Sequence, residues 1–148
     1  MPSRKAILIA DDSEEDAQIM KRAFQRSGCN ARLSFVRDGQ EALDYLAGTG
    51  EYADRATHPL PRFMLLDLKM PKLDGFDVLE WLQKHPNLKV LPVTVLTSSN
   101  LDRDVDRAYF LGANSYVVKP SSFAGFMDIV EGLRTYWIEI NRPPTAVV

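Results

Sequence analysis

Short apolar runs and longer amphipathic stretches alternate along this chain. Ala6–Ala10 is apolar throughout, the mark of a strand covered on both faces. Arg32–Val36, Phe63–Leu66, Val93–Leu96 and Ser115–Val118 are further runs of strand type. Between them, apolar positions recur at helical spacing. Ser13 followed by Glu14-Glu15-Asp16 reads as a capped helix start with acids at its positive end. Ile19, Met20, Ala23 and Phe24 give that helix an inward stripe, and Gly28 ends it. Asp38 with Glu41 opens a second helix, with Ala42, Leu43 and Leu46 inward. Asp74 caps a third, with Val78, Leu79 and Leu82 inward and Pro86 beyond its end. Asn100 is expected to cap a fourth that runs to Leu111, and a fifth begins near Ser122 and carries Phe126, Val130, Leu133 and Trp137.

Five strands alternating with five helices imply an α/β fold with a parallel sheet covered on both faces. Right-handed crossovers make it doubly wound, and such sheets place their ligands at the carboxyl ends of the strands. Two segments stand outside the pattern. Gly48–Arg62 is a long polar connection with His58-Pro59-Leu60-Pro61 in it, expected to be extended and partly ordered. Asn141–Val148 contains Pro143-Pro144 and cannot continue a helix. Without a linker or repeat, residues 1–148 read as one domain, with a core over about 4–137 and a tail over 138–148.

Composition narrows the function. The 148 residues can bury a core without a disulfide or metal staple, and 45% hydrophobic with 26% charged residues is an ordinary globular balance. A net charge of −2 with no basic stripe argues against direct nucleic-acid binding. The single cysteine, Cys29, excludes an internal disulfide, fits a reducing compartment, and reads as a packed thiol at a helix end. The apolar run after Met1-Pro2-Ser3-Arg4-Lys5 is too short for a signal peptide or membrane span, so a soluble cytoplasmic protein is expected.

The chemistry gathers where the strands end. Asp11 and Asp12 follow the first strand, Asp67 ends the third, Thr97 and Ser98 follow the fourth, and Lys119 follows the fifth. The fold brings all of these to one edge. Neighbouring carboxylates raise one another's pKa values, and a hard divalent cation such as Mg²⁺, with oxygen ligands and waters, relieves the repulsion. A carboxylate can also attack phosphorus and form an aspartyl-phosphate, while a lysine and a metal neutralise the transferring group.

Four pieces of sequence carry a family resemblance: Asp11-Asp12; Leu66-Asp67-Leu68-Lys69-Met70-Pro71 with Asp74-Gly75; Leu96-Thr97-Ser98; and Tyr116-Val117-Val118-Lys119-Pro120. Each is weak alone, but in this order and at these strand ends they are specific. Over nearly its whole length the chain resembles bacterial two-component response-regulator receiver domains. The resemblance implies the flavodoxin-like strand order 2-1-3-4-5 and a phosphoacceptor at Asp67. It implies Mg²⁺ on Asp12, Asp67 and the backbone carbonyl of Lys69, with Asp11 acting through a water. Lys119 would bind the phosphoryl group, with the Lys119–Pro120 bond cis. Thr97 would move to a phosphoryl oxygen, and Tyr116 would rotate in behind it as a switch. Such a protein is a self-phosphorylating switch rather than a conventional enzyme, and its donor is a sensor histidine kinase. The Gly48–Arg62 insertion, the Ala113-Asn114-Ser115-Tyr116 run, Lys119-Pro120-Ser121 and the late Tyr136-Trp137 are similar to the small receivers of phytochrome-type kinases. A phosphorelay intermediate or phosphate sink for another histidine kinase is the alternative. With no output domain after the fifth helix, the signal is expected to leave through another protein or a homodimer. The last helix and the Trp137–Pro144 region are the expected dimer surface.

Several residues have simpler readings. Asp74 is best explained as a helix cap, and Glu14, Glu15 and Asp16 as a charged helix start. His58 and His85 lack ligand spacing and read as surface residues. Three rival functions need residues that differ from those present. A dehalogenase-type phosphatase needs a second aspartate two positions after the first, where Lys69 stands. A flavin carrier needs a Gly- and hydroxyl-rich phosphate loop, where Asp11-Asp12-Ser13-Glu14-Glu15-Asp16 would repel the ligand. A scaffold of the same fold without phosphorylation would lack one of the acids or the lysine.

Overall fold

A computed structural model describes residues 5–145. Five strands, β1 (Ala6–Ala10), β2 (Arg32–Val36), β3 (Phe63–Leu66), β4 (Val93–Thr97) and β5 (Ser115–Val118), form one parallel sheet in the order β2-β1-β3-β4-β5. The helices are α1 (Glu14–Arg26), α2 (Gly39–Ala47), α3 (Gly75–Gln83), α4 (Asp102–Phe110) and α5 (Phe123–Leu133). This is the doubly wound receiver topology that the sequence implied.

The alternation of side chains along β1 divides the core into two. Leu8 and Ala10 face the α2–α3–α4 side, against Ala42, Leu46, Val78, Leu79, Leu82 and Ala108. Ile7 and Ile9 face the other side, against Met20, Ala23 and Phe24 of α1 and Phe126, Val130 and Leu133 of α5. β1 and β3 are buried at every position because both faces are covered, which is why they read as unbroken apolar runs.

The expected caps appear at Ser13, Asp38, Asp74 and Ser122, and Asp74 and Asp77 form a reciprocal capping box. The fourth helix differs. Leu101, not Asn100, occupies the N-cap, and no side chain caps there. Ser99 ties the loop instead: its hydroxyl accepts from the Leu101 N–H at 3.3 Å and donates to Asp104 at 2.6 Å. The Lys119–Pro120 bond, expected cis, is trans like every other peptide bond among the described residues. The intrinsic preference for trans before proline, about 0.5–1 kcal/mol, runs in this direction.

The Gly48–Arg62 connection is better ordered than expected. A single 3₁₀ turn, Gly50–Tyr52, starts it. The Arg55 guanidinium then donates to the Tyr45 and Leu46 carbonyls at 2.8 and 2.9 Å, satisfying the open end of α2. Tyr52 packs on Tyr45, and His58 meets the Tyr52 ring edge-on at 4.9 Å. His58 is therefore half-buried, as is His85, which stacks on Trp81 at 3.7 Å; neither is the simple surface residue expected.

α5 passes into a π-helical segment, Arg134–Ile140. This wider winding keeps Ile138 buried and stacks Trp137 on Phe63 at 5.9 Å. Trp137, placed in the expected dimer surface, is thus half-buried, and Tyr136 and Ile140 are the ones that face outward, 49% and 67% exposed. Lys5 and Arg62 donate to the Ile138 and Asn141 carbonyls at the negative end of the segment. Among the described residues no helix is long and apolar enough to cross a membrane.

Candidate functional site

The backbone sets the site before any side chain acts. The Asp11 N–H donates to Val36 at 3.0 Å, and the Asp67 N–H donates to Ala10 at 2.9 Å, so both acids sit on the last rungs of the sheet. The Lys119 N–H donates to the Thr97 carbonyl at 2.7 Å and fixes the lysine beyond β5. Gly75 bonds back to Leu68 at 2.9 Å and closes the loop after Asp67.

Asp11 and Asp67 are buried, while Asp12 is exposed. Oxygens of these three carboxylates lie within 4.8 Å of one another. The Asp11 carboxylate accepts from the Ser13 N–H at 2.9 Å, and that of Asp67 accepts from the Lys69 N–H at 3.3 Å. The Lys119 ammonium reaches Asp11 at 2.8 Å, Asp16 at 2.7 Å and Asp67 at 2.9 Å.

Electrostatics follow from this crowding. Burial pushes the Asp11 carboxyl above its ordinary value, and the Asp67 charge adds to the push; Lys119 and the Ser13 N–H act against it. For Lys119, burial disfavours the charge, but hydrogen bonds to Asp11, Asp16 and Asp67 outweigh it and hold the ammonium above its ordinary value. One ammonium does not balance four carboxylates. Hard oxygen donors in excess of the nearby positive charge fit a divalent cation.

Thr97 is buried, and its hydroxyl has no hydrogen-bond partner. A buried hydroxyl without a partner is uncommon in a folded protein, and this one ends β4, the strand beside β3. Tyr116 is half-buried and donates to the Ser99 carbonyl at 2.8 Å, which links β5 to the loop that Ser99 ties to α4. Burial raises its phenol pKa. Ser98 and the Lys69 side chain point to solvent.

The structure therefore brings Asp11, Asp12, Asp67 and Lys119 together, with Thr97 at the end of the neighbouring strand. It also adds Asp16, one of the acids at the charged start of α1. No local spacing signals this, since Asp16 lies in the first turn of α1 and its partner Lys119 follows β5, 103 positions away. Its value as an acid in the first turn of α1 masked that second use.

Residues 7–131 match the response regulator receiver domain family. The chain belongs to that family. As a receiver it takes a phosphoryl group from a kinase and is not a conventional enzyme. The probable methanogenesis regulatory protein FilR2 of Methanothrix harundinacea is 41% identical over 138 residues, 93% of this receiver and 86% of its own length. Response regulator Rcp1 of Synechocystis is 35% identical over 142 residues, 96% and 95% of the two chains. The crystal structure of the phosphorylated cyanobacterial phytochrome response regulator RcpA superposes with a TM-score of 0.89 at 34% identity, covering 97% of this receiver and 100% of that chain. The Mn²⁺-bound form of Rcp1 superposes at 0.86 with 35% identity, covering 95% and 99%. That form and the Asp11–Asp12–Asp67 triad agree on a divalent-metal site.

The orphaned hydroxyl gives a prediction with opposite signs in two states. Thr97→Val removes a buried unpaired polar group at nearly constant volume. It is expected to stabilise the resting receiver by about 1 kcal/mol in urea unfolding. The same change should lessen the extra stability gained on adding Mg²⁺ with beryllofluoride, a phosphoryl mimic. A loss of resting stability would show that the hydroxyl already has a partner.

Proposed function

We propose that this receiver is phosphorylated on Asp67 by a phytochrome-type sensor histidine kinase in a Mg²⁺-dependent reaction. The observation that carries this reading is the Lys119 ammonium held 2.9 Å from the Asp67 carboxylate beside the acid triad. Asp12, Asp67 and the Lys69 carbonyl are the direct metal ligands of this reading, and Asp11 acts through a water. Bound Mg²⁺ supplies positive charge beside the transferring phosphoryl group.

The remaining steps belong to the protein's own residues. A carboxylate oxygen of Asp67 attacks phosphorus, the bond to the donor histidine nitrogen breaks, and the imidazole leaves with its electron pair. Lys119 neutralises charge on the phosphoryl oxygens. The Thr97 hydroxyl gains its missing acceptor by donating to one of them. Tyr116 couples that movement to α4 through the Ser99 carbonyl and the Ser99–Asp104 bond. Phosphorylation then shifts the balance between two states, with about 5.5 kcal/mol needed for a full reversal from 1:99 to 99:1.

Support for the phytochrome partner is the likeness to RcpA and Rcp1 over nearly the whole chain. The receiver works in the cytoplasm as a homodimer, through the exposed Tyr136 and Ile140 of the π-helical segment. Labelled phosphoryl transfer from an autophosphorylated phytochrome-type kinase to this receiver tests the reading, with sedimentation of the wild type and Ile140→Ser alongside. Transfer to the wild type, and a dimer that the substitution dissociates, are expected. Label that stays on that kinase but moves from an unrelated histidine kinase would favour the relay or sink role. A wild-type monomer would remove the dimer.

A further inference from the structure

We propose that Asp16 is a positioning residue for phosphoryl transfer, holding Lys119 over Asp67 after the other two acids have been drawn to other partners. The inference rests on Asp67 being the acceptor. An ammonium has three N–H donors, and the three carboxylates on Lys119 lie at 2.7–2.9 Å. Every donor is therefore committed in the resting site.

Loading changes the acids unequally. Asp67 becomes an acyl phosphate and loses its carboxylate charge. Asp11 belongs to the acid triad that would hold the cation, and its hold on the lysine would then be shared. Asp16 lies outside that triad. Its side chain makes no hydrogen bond or ion pair other than the one to Lys119, among the contacts of the described residues. Its backbone is fixed independently, since its N–H donates to the Ser13 cap at 3.1 Å. It is also the most accessible of the three acids on Lys119, with a side chain 27% exposed against 2% for Asp11 and 8% for Asp67. That leaves it able to follow the ammonium as the phosphoryl group arrives.

The tether joins the start of α1 to the residue after β5, two segments far apart in sequence. Without it, a flexible four-carbon chain must find the phosphoryl oxygen at its own entropic cost. With it, one donor stays bound to Asp16 and two are free for the incoming oxygens.

Two substitutions separate holding from charge. Asp16→Asn keeps a carbonyl oxygen that can accept from Lys119 but removes the negative charge. Asp16→Ala removes both. The full chain, in wild-type form and as each variant, is titrated with beryllofluoride at saturating Mg²⁺, and Mg²⁺ alone is titrated separately. Phosphorylation by phosphoramidate is timed on the same samples.

A positioning role predicts that Asp16→Ala loses on the order of tenfold in beryllofluoride affinity and phosphorylation rate. Asp16→Asn should stay within about twofold of wild type, because an amide oxygen can still accept from the lysine. The Mg²⁺ affinities of the two variants should match each other, as both lack the same charge. Equal behaviour of Asn and Ala in the beryllofluoride and rate measurements, with wild type loading normally, overturns the role of Asp16 alone. A wild type that takes up neither beryllofluoride nor phosphoryl overturns the reading of the site and this inference with it.

Discussion

Lys119→Met is expected to lower phosphoryl acceptance by about a hundred- to a thousandfold, the scale of losing a preorganised charge donor at a reacting centre. It should also destabilise the metal-free protein. The substitution keeps most of the side chain's bulk but leaves Asp11, Asp16 and Asp67 without their ammonium. Breaking a buried ion pair from one side costs about 3–5 kcal/mol, less whatever the acids recover by taking up protons.

The pH dependence carries a sign. Asp11 already has a raised carboxyl pKa in the folded protein, so its contribution to stability is full below the ordinary 3.8 and is lost as pH rises through the higher folded value. Without Lys119 that value rises further, and the metal-free variant should lose stability over a wider span of rising pH. In the wild type, the contribution of Lys119 itself is full below 10.5 and is lost only as pH climbs through its raised folded value. Urea unfolding at several pH values, with and without Mg²⁺, measures both effects. Unchanged stability and loading in Lys119→Met would remove the lysine from the site.

Gly75→Ala is the second large effect, and it acts through the backbone. A Cβ at residue 75 would lie 2.4 Å from the Asp67 carbonyl oxygen and 2.8 Å from the Leu68 Cα. Neither is the end of a flexible side chain, so the loop that carries Asp67 must move. Overpacking of this kind costs about 1–3 kcal/mol. A shift near 1 Å at the acceptor should slow phosphorylation about a hundredfold. Gly132→Ala is the matched control. Nothing lies within 4 Å of its Cβ position on α5, so it should be neutral or stabilise by about 0.5–1 kcal/mol. Native-like rates in Gly75→Ala would mean that the Asp67 loop tolerates displacement.

What the sequence discloses follows from which forces are local. β1 and β3 are legible because burial on both faces leaves no polar position in them. Asp11, Asp12, Asp67, Thr97 and Lys119 are legible because a doubly wound sheet places whatever follows its strands on one edge. Asp16 is hidden because a residue with one good local explanation gives no sign of a second, and its bond to Lys119 spans 103 positions. The Gly48–Arg62 connection looks like polar loop, yet Arg55 and the Tyr45–Tyr52–His58 cluster anchor it to α2. Trp137, four positions after Leu133, packs on Phe63 as its helical spacing suggests, although the winding widens after Leu133. At Asn100, residue type suggested a cap, but Ser99 had already bound the loop through Asp104.

Intact mass after incubation with phosphoramidate or acetyl phosphate decides whether Asp67 is the metal-dependent phosphoacceptor. Wild type and Asp67→Asn are each treated with Mg²⁺ and with EDTA. A single phosphoryl adduct is expected on the wild type, formed with Mg²⁺, absent with EDTA and absent from the variant. An adduct that persists on Asp67→Asn, or that forms equally well in EDTA, would contradict that role.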